Sequence, residues 1–129
     1  PIFGAAGSTM LISIMPPGQG PCLHSHNGTF ETFIVLEGTI EYFVGEPIEH
    51  RVTLNKWDVF SCPPKVYRGF KNVGETDAVQ LTVITGVDEG RDDVSMPDSI
   101  AQQVGKDYGE EIVDAFRSVF SLDSPRPDA

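Results

Sequence analysis

The sequence predicts an all-β barrel or sandwich that is followed by a C-terminal helical tail. Short segments rich in β-branched and aromatic residues follow one another at even intervals, and Gly and Pro turns separate them. Near the C-terminus, apolar residues recur at helical spacing instead. A chain of 129 residues suits one domain with a real core. We therefore expect residues 1–90 to form the barrel, and residues 91–129 to add an acidic linker, helices and a frayed tail to the same domain.

The predicted strands are delimited by their turns. A Pro-Pro-Gly turn at 16–18 ends the first strand, a Gly-Glu-Pro turn lies at 45–47, and Pro63-Pro64 stops pairing before the last two strands. The predicted strands cover residues 10–15, 22–26, 30–36, 39–44, 50–54, 59–62, 66–71 and 78–85.

The tail carries an apolar stripe that fits helices packed on one face. Ser99 with Gln102 fits a capping box, as does Asp107 with Glu110. We expect this stripe to cover a sheet face or a barrel end, and residues 121–129 to fray. The stripe consists of Tyr108, Ile112, Val113, Phe116, Val119 and Phe120.

Charge and composition exclude several function classes. A net charge of −10 and a pI of about 4.5 make the chain a poor partner for nucleic acids or anionic membranes, because phosphates would repel it. No apolar run approaches the ~20 residues of a membrane span, and the start shows no signal-peptide pattern. Two cysteines do not make a disulfide scaffold. We therefore expect a reducing, cytoplasmic location.

A candidate metal site lies at His24, His26 and Glu31. Side chains two apart on a strand point the same way, so His24 and His26 project together. The polar break 27–29 is predicted to be a turn, and a hairpin return would bring Glu31 opposite both histidines. Two imidazoles and one carboxylate are the donor set of non-haem Fe(II) and related divalent sites. The sequence therefore favours Fe(II), with Mn, Ni, Cu or Zn as alternatives.

The spacing around this site resembles the first motif of the cupin family. That motif runs Gly, five residues, His-x-His, three or four residues, Glu, six residues, Gly. Here Gly18, His24, His26, Glu31 and Gly38 match every fixed position. The resemblance implies a double-stranded β-helix, the jelly-roll barrel of cupins, with a divalent metal. It also implies a dimer, the common state of single-domain cupins.

The second cupin motif is degenerate. Pro63 and Asn72 stand in register with it. Trp57 and Lys65, however, occupy positions where the family motif has glycine. Arg68 stands where the fourth metal ligand, a histidine, is expected.

Arg68 has several possible roles that the sequence leaves open. A guanidinium cannot donate to a metal, and at ~5 Å it would repel a dication by roughly 6–7 kcal/mol at an effective dielectric of ~20. Its side chain could turn away from the metal, the metal could bind weakly, or Arg68 could pair with Glu31 in place of a metal. With a metal present, Arg68 is the candidate catalytic residue, because a positioned cation neutralises negative charge on a substrate.

Further residues are candidates for the substrate pocket and for an interface. Phe33 and Val35 share the strand parity of Glu31 and are expected to wall the pocket, together with Phe60 and Gln80. The opposite face of the same strand is also apolar, at residues 34 and 36. That face needs either the helical tail or a second subunit, which indicates a homodimer.

Two function classes follow from the resemblance. Small single-domain cupins include dioxygenases that cleave diketones, phenols and flavonols, as well as isomerases and decarboxylases. The enzyme hypothesis is a metal-dependent oxidoreductase acting on a small oxygen-rich substrate with enolate, diketone, phenolic or carboxylate groups. The alternative is a non-catalytic module that binds or senses an anionic ligand and has weakened or lost its metal.

Overall fold

The computed structural model describes residues 2–5, 7–86, 94–118 and 121–122. The predicted linker residues 88–93, the stripe residues Val119 and Phe120, and residues 123–129 of the predicted frayed end lie outside this part of the chain. The strands are β1 (Ile2–Ala5), β2 (Ser8–Met15), β3 (Ser25–His26), β4 (Thr29–Glu37), β5 (Thr39–Val44), β6 (His50–Asn55), β7 (Val59–Cys62), β8 (Arg68–Asn72), β9 (Ala78–Gly86), β10 (Val94–Met96) and β11 (Ser121–Leu122). The helices are α1 (Asp98–Tyr108) and α2 (Glu110–Arg117).

The strands form three sheets. A five-stranded sheet has the order β1-β2-β9-β4-β7, and a three-stranded sheet has the order β6-β5-β8. All pairs within these two sheets are antiparallel. In a small third sheet with the order β11-β10-β3, strand β10 pairs with the strand that contains His26. The predicted all-β class with a helical tail is confirmed, whereas β1, β10 and β11 were not predicted.

An aromatic core joins the two larger sheets. Phe33 of β4 lies with its ring centroid 5.2 Å from that of Tyr42 of β5 and 4.9 Å from that of Phe70 of β8. Alternation explains the arrangement, because inward residues of each strand are buried while their neighbours are more exposed. Each such ring pair contributes about 0.5–1.5 kcal/mol beyond its burial. The buried core consists of Met15, Phe33, Val35, Ile40, Tyr42, Phe70 and Ala78.

The helices differ from the prediction at their caps. Helix α1 follows Pro97 and helix α2 follows Gly109, and neither has a side-chain capping bond. The predicted boxes are wrong because one residue of each candidate pair bonds elsewhere in α1, where Gln102 donates to Asp98 and Gln103 donates to Asp107. No helix among the described residues is long and apolar enough to cross a membrane.

The apolar stripe of the tail is covered only in part. Val113 is 2% exposed, whereas Tyr108 is 73% and Ile112 is 42% exposed. Helices α1 and α2 pack on each other, while Ile12, Ile14 and Val59 on the outer face of the five-stranded sheet are exposed. Within the described part of the tail, helices α1 and α2 are therefore not the cover that β4 was expected to need on its outer face.

Two residues other than glycine adopt a positive φ at the positions where the second motif was expected to have glycine. Trp57 has φ of 75° and Lys65 has φ of 64°. The backbone N–H of Lys65 donates to the carbonyl of His26 at 2.6 Å, which holds this turn against the candidate metal site. The turn geometry is thus kept although the glycines are absent, at a cost of roughly 1–2 kcal/mol for each left-handed residue.

Lys65→Gly is expected to be more stable than Lys65→Ala by about 0.5–1 kcal/mol, because glycine relieves the left-handed strain but gains freedom in the unfolded chain. Urea denaturation of both variants measures the difference. The same two substitutions at Lys71, an exposed position within β8, serve as the control and should favour alanine. An alanine preference at both positions would contradict strain at Lys65.

Candidate metal centre

The structure brings the three predicted metal ligands together. The Nε2 atoms of His24 and His26 lie 3.8 and 3.4 Å from Oε2 of Glu31, and potential ligand atoms of the three residues all lie within 4.8 Å of one another. His26 belongs to β3, Glu31 to β4, and His24 forms a single β-bridge with Arg68. The short turn between β3 and β4 returns Glu31 to the histidines, so the three residues converge as expected. The hairpin that was expected to do this is not formed, because β3 pairs with β10 and β4 pairs with β7 and β9.

Neighbouring oxygen atoms orient both imidazole rings. Nδ1–H of His24 donates to the carbonyl of Cys22 at 2.8 Å, which turns Nε2 toward Glu31. Nδ1 of His26 lies 3.1 Å from the hydroxyl of Thr29, so its Nε2 also faces the carboxylate. Histidine ligands of metals characteristically use their second nitrogen in this way.

The donor set fits a divalent transition metal. Two ligands bound to one ion at roughly 2.1 Å lie about 3–3.5 Å apart in octahedral or tetrahedral geometry. The distances of 3.4 and 3.8 Å from Glu31 to the histidines are close to that spacing. When both rings are neutral, their Nε2 lone pairs and the carboxylate present three donor atoms to an ion between them. His24, His26 and Glu31 would therefore hold the ion.

Arg68 lies beside the three ligands and is completely buried. Its backbone exchanges hydrogen bonds of 2.8 and 2.9 Å with His24, which brings its side chain alongside Glu31. Nε donates to Oε2 of Glu31 at 3.0 Å, and Nη1 donates to the carbonyl of Val66 at 2.8 Å. Nη2 has no partner among the described residues. Of the alternatives that the sequence left open, the structure shows pairing with Glu31.

The electrostatics keep Glu31 ionised. Burial acts to raise the pKa of this carboxyl, but hydrogen bonds to His24 and His26 and the charges of His26 and Arg68 lower it well below its usual range. The same charge acts on Tyr42, whose pKa is raised by burial and by Glu31, so that its hydroxyl stays protonated. The site thus combines an ionised carboxylate with a permanent neighbouring cation.

A cavity of about 350 Å³ opens beside the ligands. His24 and Glu31 lie in its wall, and most of the remaining wall is apolar. Two hydroxyl groups, those of Ser13 and Thr82, interrupt the apolar surface. The cavity is lined by Leu11, Ser13, Met15, Gly20, Pro21, His24, Glu31, Phe70 and Thr82. Its volume suits a small-molecule ligand.

The residues predicted for the pocket lie deeper in the protein. Phe33, Val35 and Gln80 are completely buried, and the Phe60 ring stacks against Phe33 with centroids 6.0 Å apart. None of the four lines this cavity. The predicted face is the inward one, but aromatic side chains from the opposite sheet fill the interior at that depth.

Sequence reasoning missed the contribution of β2 to the cavity. Leu11, Ser13 and Met15 alternate with outward residues, and Leu11 pairs with Thr82 of the neighbouring β9. The alternation of residues in the sequence of β2 could have predicted that Leu11, Ser13 and Met15 share one face. Its register against β9, which brings Leu11 beside Thr82, was not readable from the sequence.

Comparison with known proteins agrees with this architecture. No curated protein matches the chain. The cupin domain of Schizosaccharomyces pombe Cnp3 superposes with a TM-score of 0.61 at 20% identity, covering 67% of this chain and 61% of that one. The chain thus spans less than two thirds of the Cnp3 domain's length.

Two bacterial structures show the same fold. An uncharacterized conserved protein with a double-stranded β-helix domain from Klebsiella pneumoniae has a TM-score of 0.61 at 22% identity, covering 69% of this chain and 76% of that one. A predicted oxalate decarboxylase from Thermotoga maritima has a TM-score of 0.58 at 25% identity, covering 64% and 70% of the two chains. The family model for the cupin domain matches residues 11–85, more than half of the sequence. The chain belongs to the cupin family.

Proposed function

We propose that the chain is a metal-dependent cupin enzyme, and specifically a non-haem dioxygenase that acts on a small oxygen-rich substrate. The observation that carries this proposal is the convergence of His24, His26 and Glu31 beside a small-molecule cavity, with His24 and Glu31 in its wall. Two histidines and one carboxylate leave coordination positions open for a substrate that chelates through adjacent oxygens. Diketones, their enolates, catechol-type phenols and small carboxylates have such oxygens.

In this proposal the candidate ligands, the cavity wall and Arg68 have separate roles. His24, His26 and Glu31 hold the ion, for which Fe(II) is favoured, and the ion supplies Lewis acidity and redox chemistry when bound. The apolar cavity wall excludes water around the substrate. The sequence predicts a catalytic Arg68 that neutralises charge on the substrate. Its complete burial and its bond to Glu31 favour a positioning role instead, exerted through that carboxylate.

A second candidate function is the binding or sensing of an anionic ligand without catalysis. The observation that favours it is the Glu31–Arg68 ion pair, which balances the carboxylate charge without an ion. Such a centre would bind metals weakly, because Arg68 repels a dication. The two functions therefore differ in whether the metal-loaded protein consumes dioxygen.

Oxygen uptake by Fe(II)-loaded protein tests the enzymatic proposal. We expect uptake with at least one member of a panel of diketones, catechols and flavonols, and none with Glu31→Ala. Glu37→Ala, which removes an exposed carboxylate at the end of the same strand, is the matched control and should behave as wild type. A loaded wild-type protein that binds panel members without consuming oxygen would support the binding module and overturn the dioxygenase.

We also propose that the chain forms a two-fold homodimer through the outer face of the five-stranded sheet. Ile12 and Ile14 of β2 are 55% and 65% exposed there, and Val59 of β7 is 59% exposed. Ile12 and Val59 both share one row of the sheet with Leu81 and Ile34, so the apolar surface is continuous across four strands. Surfaces of this kind mark interfaces.

The double substitution Ile12→Ser and Ile14→Ser is expected to weaken the dimer at least about 100-fold, because each buried isoleucine contributes about 1.5–3 kcal/mol. Sedimentation equilibrium at micromolar concentration measures the effect. Val73→Ser is the control, since Val73 is 43% exposed but lies in the loop after β8. A monomeric wild-type protein would contradict the proposal.

A reducing, cytoplasmic compartment is likewise proposed. Both cysteines are free, with Cys22 exposed and Cys62 buried. Free thiols are the usual state of cysteine in reducing compartments.

A further inference from the structure

A chain of buried hydrogen bonds leads from the core to the cavity wall. The hydroxyl of Tyr42 donates to Oε1 of Gln80, and Nε2 of Gln80 donates to Oγ1 of Thr82 at 3.1 Å. Tyr42 and Gln80 are completely buried, and Thr82 is 2% exposed. Of the three, only Thr82 lines the cavity beside His24 and Glu31.

Burial determines which group donates and which accepts in these hydrogen bonds. Tyr42 is protonated, and in the described part of the protein its hydroxyl has Gln80 as its hydrogen-bond partner. Leaving that buried proton without an acceptor would cost about 1–3 kcal/mol, so the oxygen of the Gln80 amide must face Tyr42. The amide nitrogen then faces Thr82, and the Thr82 oxygen accepts. Among the described residues the hydroxyl proton of Thr82 has no acceptor of its own and is available to a molecule in the cavity.

The sheet register relates Thr82 to the metal centre. Thr82 of β9 pairs with Phe33 of β4, while Glu31 pairs with Ile84. Glu31 and Thr82 are therefore diagonal neighbours on one inward face, about 7–8 Å apart. A small ligand that binds an ion at Glu31 would reach Thr82 with an atom that lies a few bonds beyond its chelating oxygens.

We infer that Thr82 is a specificity-determining residue that donates a hydrogen bond to a neutral oxygen of the ligand, beyond the atoms that chelate the ion. The inference rests on the proposed function. The ligand atom is an acceptor, because Gln80 already donates to the Thr82 oxygen while the hydroxyl proton of Thr82 is unused among the described residues. It should also be uncharged, because no positively charged side chain is among the residues that line this cavity. The substrate class is thus a chelating diketone or enol that has a further carbonyl or ether oxygen.

The test compares two probes that differ by one carbonyl group. Heptane-2,4-dione chelates through both oxygens, and heptane-2,4,6-trione adds a third carbonyl beyond the chelate. Calorimetric titration of Ni²⁺-loaded protein gives both affinities. We expect wild type to prefer the trione, and Thr82→Val to lose roughly 5- to 10-fold in trione affinity while binding the dione as wild type does.

Two control variants separate this role from a general effect on the fold. Thr82→Ser keeps the hydroxyl and should retain the preference for the trione, and Thr85→Val changes an exposed residue of the same strand and should have no effect. Equal affinity of wild type for the two probes, or an undiminished preference in Thr82→Val, would overturn the inference. A wild-type protein that fails to take up Ni²⁺ would instead overturn the metal centre on which the inference depends.

Discussion

Replacing Arg68 with methionine is expected to lower the free energy of unfolding of the metal-free protein by about 3–5 kcal/mol, because it leaves Glu31 buried without its cation. Arg68 is completely buried, and its Nε lies 3.0 Å from the carboxylate. Methionine has a similar volume and can fill the space, so the loss reports the missing charge and hydrogen bonds rather than a cavity.

Urea denaturation in the presence of a chelator measures this effect. Arg51→Met is the matched control, because Arg51 makes an ion pair of 2.8 Å with Glu41 at the surface and is 53% exposed. Surface pairs contribute about 0–1 kcal/mol, so this variant should be nearly as stable as wild type. Removing both charges, in Glu31→Gln with Arg68→Met, should recover part of the loss. A cost below 1 kcal/mol in Arg68→Met would contradict the structural role of the pair.

Replacing Arg68 with histidine is expected to tighten binding of Ni²⁺ or Zn²⁺ by at least about 100-fold, or 2.7 kcal/mol. The substitution removes a positive charge whose repulsion of a dication is roughly 6–7 kcal/mol at ~5 Å. It also supplies an imidazole at a position whose backbone pairs directly with His24. The gain is smaller than the removed repulsion because Glu31 loses its partner.

Isothermal titration calorimetry of the metal-free proteins measures both affinities. Arg51→His adds a histidine at a surface position of β6 and should leave the affinity unchanged. Metal should also raise the melting temperature of Arg68→His more than that of wild type, since a ligand that binds only the folded state stabilises it. Equal or weaker binding by Arg68→His would show that Arg68 does not limit the affinity of this centre.

The convergence of the three candidate metal ligands could be predicted because these residues lie close together in the sequence. His24 and His26 are two residues apart and lie side by side, with ring centroids 5.6 Å apart, and a short turn returns Glu31 to them. The strand over residues 22–26 and the hairpin that were expected to arrange them are not formed, since β3 covers only Ser25–His26 and pairs with β10. The strands 39–44 and 59–62 were likewise predicted at their observed limits, because turn residues delimit them.

Other features depend on contacts between distant segments. The pairing of Arg68 with Glu31 requires the bridge between Arg68 and His24, which joins residues far apart in sequence. The depth of Phe33 and Val35 depends on which side chains of the opposite sheet fill the space above them. Period-two alternation identifies a face but gives no position along it. This is why the four residues predicted for the pocket do not line the cavity beside Glu31.

Elemental analysis of protein purified without chelators tests the central claim most directly. Wild type and Glu37→Ala should contain near-stoichiometric iron, manganese, nickel, copper or zinc, and Glu31→Ala and His26→Ala should lose it. His26→Ala is included because it keeps the Glu31–Arg68 pair and isolates the loss of one ligand. Absence of metal from all four proteins, persisting after incubation with Fe(II) or Ni²⁺, would contradict the metal centre.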